Sequence, residues 1–402
     1  MKKHLAILLI FIIGASCSDI YKVPSTLNLN VLVTYPEDFS GAPIANANVK
    51  ITNLQTNRTY ESKTNDSGIA NFDVRGGNYD IMVSLSEEHE VEIDGYPTRK
   101  TILFNGSLTG QVITETDETL TIQTAYSIQN EGFVIKELYV SGSRTPEEES
   151  YGADKFYEIY NNSEDLLYAD GLCFGILYPN TTFRPTPYVD ENGELLDRLP
   201  VWSFVPIVPG SGEEHPVNPG ESFVVALSGL NHRDDPNGNP NSIDLSIADW
   251  ELYVEDGKYV DVPSVPNMLM QRITIGSAMS FDQRGTPSIL FRLPTDDIES
   301  IFIDPANYYQ APGSAFSCFM VPKVWVIDGV DNVLLDDRGV YKRLPNEIDV
   351  SYIQTRGSLE GVSIRRKVKE VIDGRVVYQD TNNSAEDFLT DQEPQPGIIS
   401  AN

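Results

Sequence analysis

Apolar side chains fall at every second position over several short stretches of this chain. Leu27, Leu29, Val31 and Val33 alternate with Asn28, Asn30 and Thr34, and a period of two places one set on a buried face and the other in water. The alternation returns in Tyr79, Ile81, Val83 and Leu85 against Asp80 and Ser84, and in Leu120, Ile122, Thr124 and Tyr126 against Thr119, Thr121 and Gln123. Ala47 to Ile51 and Ala70 to Val74 lie between them, set off by Asn65-Asp66-Ser67-Gly68 and Gly76-Gly77-Asn78. Strands this short, broken by turn-forming residues at this spacing, predict a β-sandwich over residues 27–130.

A denser pattern begins at Phe133. Phe133 to Val140 reads as a strand, and so does Phe156 to Tyr160, with Phe156 and Tyr160 on one face and Tyr157 and Ile159 on the other. Glu158 then sits mid-strand beside aromatic rings. Asn161-Asn162-Ser163 stops the strand, because these side chains bond their own backbone. Ile289 to Leu293, Ser300 to Ile303 and Val324 to Ile327 continue the strand count. The expected class is all-β with two β-sandwich domains, 27–130 and 131–392, followed by a loose tail over 393–402.

Particular segments carry a resemblance. Val134-Ile135-Lys136-Glu137-Leu138-Tyr139, Lys155 to Ser163, Pro219 to Ala226, Gly361 to Arg366 and Asp380 to Phe388 look like bacterial lamin-tail domains, which are immunoglobulin-like sandwiches. With Asp249-Trp250-Glu251 and Pro266-Asn267-Met268, the pattern resembles an uncharacterised family of Bacteroidota lipoproteins. The resemblance covers roughly two thirds of the chain, and the order of short motifs carries it. The chain between the second strand and Pro219 is far longer than a minimal lamin-tail sandwich needs, so large insertions are expected. In the first domain, Ala47-Asn48-Val49, Thr64 to Phe72 and Gly77 to Ile81 resemble transthyretin-like or carboxypeptidase-regulatory-like modules, which implies a spacer.

The N-terminus supplies an address. Met1-Lys2-Lys3, the apolar run Leu5 to Ile13 and Gly14-Ala15-Ser16-Cys17 have the charged, hydrophobic and small-residue regions of a secretory signal over residues 1–16. The apolar run is short for a membrane-spanning helix. The leader resembles a lipoprotein signal, in which Cys17 is acylated and becomes the mature N-terminus. Residues 17–26 read as a tether, and Ser18-Asp19 resembles a surface-export signal of Bacteroidota lipoproteins. The expected location is the outer membrane, held by lipid and displayed at the cell surface.

Charge narrows the partners. Lys and Arg total 29 against 59 Asp and Glu, a net charge of -30, and such a field repels phosphate backbones, so no nucleic-acid partner is expected. The basic stripe Arg365-Arg366-Lys367-Val368-Lys369 reads as paired across strands, with an arginine there a candidate partner for Glu158. Cys173 and Cys318 lie in apolar settings, where a disulfide and two buried thiols are equally compatible.

Candidate chemistry is sparse. Asp235, Asn237, Asn239 and Asn241 place oxygens at every second position and Asp244 follows, a spacing of the kind found in calcium loops. Gly238 and Pro240 stand out of register with the EF-hand pattern, no Glu closes the loop, and the same residues make ordinary turns. No other cofactor is expected. His89, within Glu87 to Glu90, reads as part of a solvated loop, and the mature histidines, His89, His215 and His232, are too far apart for a helical zinc pair. No Gly-x-Ser-x-Gly elbow is present. The aromatic, proline-rich stretch from Tyr178 to Pro219, with Trp202-Ser203-Phe204 at its middle, either projects to stack on sugar or protein surfaces or caps the core. The expected function is a non-catalytic binding or accessory lipoprotein, working with a TonB-dependent transporter or another surface complex. The alternatives are a structural or adhesive surface module and an acidic hydrolase whose carboxylates are not identifiable from sequence.

Overall fold

The structure is a computed structural model that describes residues 26–93, 96–129, 132–180, 182–294, 297–334 and 341–401. It is all-β. The first sheet orders Ile69–Val74, Leu27–Thr34 and Glu118–Gln123, and the second orders Thr59–Lys63, Asn48–Asn53, Gly77–Ile93, Tyr96–Ile113 and Ala125–Ile128. Leu29, Val31, Val33, Val49, Ile51, Ile81 and Val83 meet in one core, so the period-two reading holds there. His89 is not in a loop. It lies within the Gly77–Ile93 strand, its ring edge-on to Phe39 at 5.2 Å, because that strand stays paired with its neighbour far beyond the apolar run, as far as Ile93 opposite Tyr96.

The larger assembly is a sheet ordered Trp250–Glu251, Ser222–Ala226, Phe156–Asn161, Phe133–Tyr139, Ser363–Arg366 and Phe388–Gln392, facing a second sheet built around Leu172–Leu177. The inner faces share a core in which Ile135, Tyr157, Ile159, Phe174 and Ile364 are buried, with the Tyr157 and Phe174 rings stacked at 4.0 Å. Cys173 and Leu177 point to the far side, against Val201, Ile289 and Phe319. Cys173 and Cys318 are separate, buried thiols.

Phe133–Tyr139 and Phe156–Asn161 are buried at every position, not every second one. Leu245 and Val265 cover part of the outer face, and Val376 and Tyr378 cover another part. Glu158 is therefore fully enclosed, and its partner is Lys136 at 2.7 Å, both side chains 0% exposed. The expected arginine is one strand too far. Ser363–Arg366 pairs with Phe133–Tyr139, which itself separates it from Phe156–Asn161, and each strand adds ~4.8 Å. The basic stripe pairs with other acids: Arg366 with Asp328 at 2.5 Å and Asp380 at 3.0 Å, and Arg365 with Glu137 at 3.8 Å.

Three local expectations change. Val324 and Trp325 belong to the short helical turn Lys323–Trp325, and the strand begins at Val326. Ser300 to Ile303 belongs to a short helix, Ile298–Ile303, because the Asp297 carboxylate accepts the Ser300 N–H and caps its first turn. The C-terminal tail is docked: the Gln395 N–H donates to Glu137 at 3.1 Å and the Gly397 N–H to Glu158 at 3.2 Å. Among the described residues no helix is long and apolar enough to cross a membrane.

The Asp380 to Phe388 turn joins the two groups of sheets. Its Asp387 carboxylate accepts from Thr381 N, Thr381 Oγ1 and Asn383 N. From the N-terminal side, Asn105 Nδ2 donates to Thr381 O at 3.0 Å, Gln129 Nε2 to Asp380 O at 2.9 Å, and Lys50 Nζ meets Glu386 at 2.5 Å. This polar turn is thus a hydrogen-bonded joint.

Candidate functional site: a polar cleft beside Trp202

The cleft has a volume of about 860 Å³ and lies between the end of the Arg198–Trp202 strand and the segment 275–284. Ser203 fixes this geometry. It takes a positive φ of 66°, its carbonyl accepts the N–H groups of Ile273 and Thr274, and its hydroxyl accepts the Ser280 N–H at 3.1 Å. One residue thus ties the start and the middle of the wall segment to the strand end. Met279 and Phe281 anchor the wall in the core, while Ile275 stands 95% exposed at its rim.

Trp202 is half-buried, with its ring 5.3 Å from Tyr178 and 5.5 Å from Phe316. Its indole Nε1 is buried and has no hydrogen-bond partner among the described residues. An unpaired buried donor costs about 1–3 kcal/mol. The open choice about the aromatic stretch resolves in both directions. Tyr188 and Phe204 are core residues, 1% exposed, while Trp202 belongs to the core edge and the cleft wall at once.

Lys155 lines the same cleft and is 5% exposed. Its ammonium donates to Phe281 O at 3.1 Å. Burial pushes its pKa down to about 8, against the pull of Asp154 and Asp282 and with some repulsion from Lys258. Lys258 holds its ammonium 5.1 Å from the Tyr259 ring centre. Among the described residues lining the cleft, Asp282 is the one carboxylate, and Arg284 grips it through Nε at 2.9 Å and a terminal nitrogen at 2.8 Å. The cleft can therefore donate hydrogen bonds, offer positive charge and present aromatic faces.

The calcium-like loop lies elsewhere. The Asp235 carboxylate accepts the Asn237 N–H at 2.8 Å, Asn239 Oδ1 accepts the Asn241 N–H at 3.0 Å, and Asp244 accepts the Ser246 N–H at 2.9 Å. The amides of Asn239 and Asn241 donate to Arg144 O, and Asn239 also to Ser143 Oγ at 2.8 Å. These bonds use the alternate oxygens to turn the backbone. Cys17 lies outside the described residues.

The structure brings together one acid-and-histidine group that spacing along the chain could not reveal, Asp170 with Glu214 and His215. The Asp170 carboxylate accepts the N–H groups of Gly212, Glu214 and His215 at 3.3, 3.0 and 2.8 Å. Burial opposes its ionisation, but these N–H groups outweigh it and hold its pKa below the usual range. Gly210 has a φ of 129° and no room for a Cβ, which would fall 1.9 Å from Asp170 Oδ1. The arrangement locks the loop.

Comparison with known proteins places the second half of this fold. Residues 218–395 match the model of DUF4876, a protein family of unknown function. The DUF4876 stretch contributes the cleft wall 275–284, Arg366 and the Asp380 to Phe388 joint, whereas Lys155 and Trp202 precede it. A crystal structure of a DUF4876 family protein from Bacteroides thetaiotaomicron VPI-5482 aligns with 93% of this chain and 98% of its own, at 24% identity and a TM-score of 0.60. At that identity the likeness speaks for a shared fold. A carbohydrate-binding candidate from Pseudomonas aeruginosa (16% identity, 25% of this chain and 88% of that one) has a TM-score of 0.18. An adhesin candidate from Bacteroides ovatus ATCC 8483 (11% identity, 71% and 85%) also scores 0.18. Neither carries an argument here. No curated protein matches the chain.

Proposed function

We propose that this protein is a lipid-anchored, cell-surface binding module without catalytic chemistry, and that it takes an extended polar ligand of the glycan type in the cleft beside Trp202. The observation that carries the reading is a preformed polar cleft walled by Trp202, Tyr259 and Lys155, with the buried Trp202 Nε1 left without a partner among the described residues. Glycans supply closely spaced oxygen acceptors together with C–H faces that stack on aromatic rings. The cleft's lone carboxylate is gripped by Arg284, an arrangement suited to holding shape. The division near residue 130, the spacer role of the N-terminal sheets and a lamin-tail-like second domain belong to the same proposal. So does accessory work beside a TonB-dependent transporter or another surface complex.

Trp202→Phe removes the donor and keeps the ring. On a glycan microarray the wild-type chain is expected to give a reproducible ligand, and Trp202→Phe to weaken it at least tenfold, with a stability change below about 1.5 kcal/mol. Unchanged binding by the variant would sink the assignment of the cleft. The anchoring part has its own check. Cys17→Ala should move the protein from the membrane fraction to the soluble fraction, and retention in the membrane would remove the anchor.

A further inference from the structure

The charge of the cleft runs against that of the chain. Acids outnumber bases by 59 to 29 overall, yet the cleft is lined by Lys155, Lys258 and Arg284 against Asp282. Arg284 and Asp282 neutralise each other, and Asp154, outside the lining, pulls on Lys155, which leaves the exposed Lys258 as the unmatched charge among the described lining residues. Lys155 and Lys258 both line the concavity, and Lys258 opposes the charge of Lys155 less than Asp154 and Asp282 favour it. A positive charge left over in a concavity raises the local concentration of anions there.

The buried polar groups point the same way. Among the described residues, the Lys155 ammonium makes its hydrogen bond to Phe281 O, and an ammonium carries three donors. The buried Trp202 Nε1 donates to no described residue. Both are donors, and an anion accepts from donors without needing to give any back. Gly152 keeps the backbone close to this amine: a Cβ there would fall 3.6 Å from Lys155 Cε and 3.0 Å from the Gln283 amide nitrogen.

We infer that the ligand is an acidic glycan, whose anionic group pairs with Lys155 and Lys258 while a neighbouring oxygen accepts from Trp202 Nε1. This rests on the glycan reading of the cleft and narrows it. The anion can be a carboxylate, as in a uronic acid, or a sulfate ester; the pairing chemistry is shared, and the probes separate the two.

The test is calorimetry on the full chain with trigalacturonate, a sulfated disaccharide and neutral galactotriose. At least one acidic probe should bind ten or more times tighter than galactotriose, and whichever acidic probe binds names the anion. Lys258→Met, on the cleft's exposed side, should weaken that probe about tenfold, and Lys155→Met by more. Lys323→Met, whose lysine pairs with Asp197 and Glu347 outside the cleft, should leave it unchanged. Equal affinity for galactotriose and the acidic probes, or full binding by Lys258→Met, overturns the inference. If galactotriose alone binds and Trp202→Phe weakens it, the glycan reading stands while the acidic one falls. Binding by none of the three probes, with neutral glycans alone captured on the array, likewise overturns it; an array blank for every glycan overturns both.

Discussion

Replacing Arg366 by Met should cost about 3–5 kcal/mol of stability, because it leaves buried carboxylates without their cation. Arg366 is 2% exposed. Its guanidinium meets Asp328 at 2.5 Å and Asp380 at 3.0 Å, with Asp387 at 3.9 Å. It also donates to Ile135 O and Gln379 O and lies 4.5 Å from the Phe388 ring centre. The side chain joins the central strand, the joint at Asp380 to Phe388 and the edge strand. Urea unfolding followed by tryptophan fluorescence measures the loss, and a cost below 1 kcal/mol would contradict the assignment.

The same network fixes a direction for pH. One guanidinium faces three carboxylates, so they cannot all be ionised cheaply. Burial raises the Asp380 carboxyl most, and the charges of Asp328 and Asp387 add to it, while Arg366 pulls the other way. Burial likewise raises Asp387. A carboxyl whose folded pKa lies above its unfolded value binds more protons in the folded state, so its contribution falls as pH rises through the folded pKa. The wild-type chain should therefore be less stable at pH 8 than at pH 6, by about 1 kcal/mol from Asp380, whose carboxyl is raised to about 7. The Met variant should show a steeper fall.

The second large effect belongs to Lys136 and Glu158. Lys136→Met leaves a carboxylate at 0% exposure with Ser222 Oγ and Gly397 N as its remaining donors, and Glu158→Leu leaves the ammonium buried. Each single change should cost about 3–5 kcal/mol. The double variant, Lys136→Met with Glu158→Leu, should recover most of that loss, since an apolar pair of similar volume pays no desolvation cost. A double-mutant cycle by urea unfolding measures the coupling. Additive losses would show that the two side chains do not act as a pair.

Much of the sheet architecture was legible because period-two alternation reports a face in contact with water, as in Leu27 to Thr34. The reading weakened where both faces are covered. At Phe133–Tyr139 the covering pieces come from residues 245, 265, 376 and 378, far along the chain, and nothing local to the strand announces them. The partner of Glu158 is not legible in the sequence for a related reason: strand order decides which cation is adjacent, and composition does not contain strand order. Ser300 to Ile303 looked extended because it is apolar, yet a capping aspartate three residues before Ser300 starts a helix. Of the site, Trp202 stood out from its aromatic, proline-rich setting. Lys155 did not, since only the fold buries it against Phe281 O. Asp170 and His215 stand too far apart in sequence for any motif to join them.

The cleft is the centre of the functional reading, and hydrogen–deuterium exchange on the full chain, with and without the best glycan from the array, tests it most directly. Ligand should slow exchange in the wall 275–284 and around Trp202 and Ser203, leaving the groove near Val324 and Ile327 unchanged. Slowing confined to that second groove, with none in the wall, would place the binding site elsewhere and contradict the account.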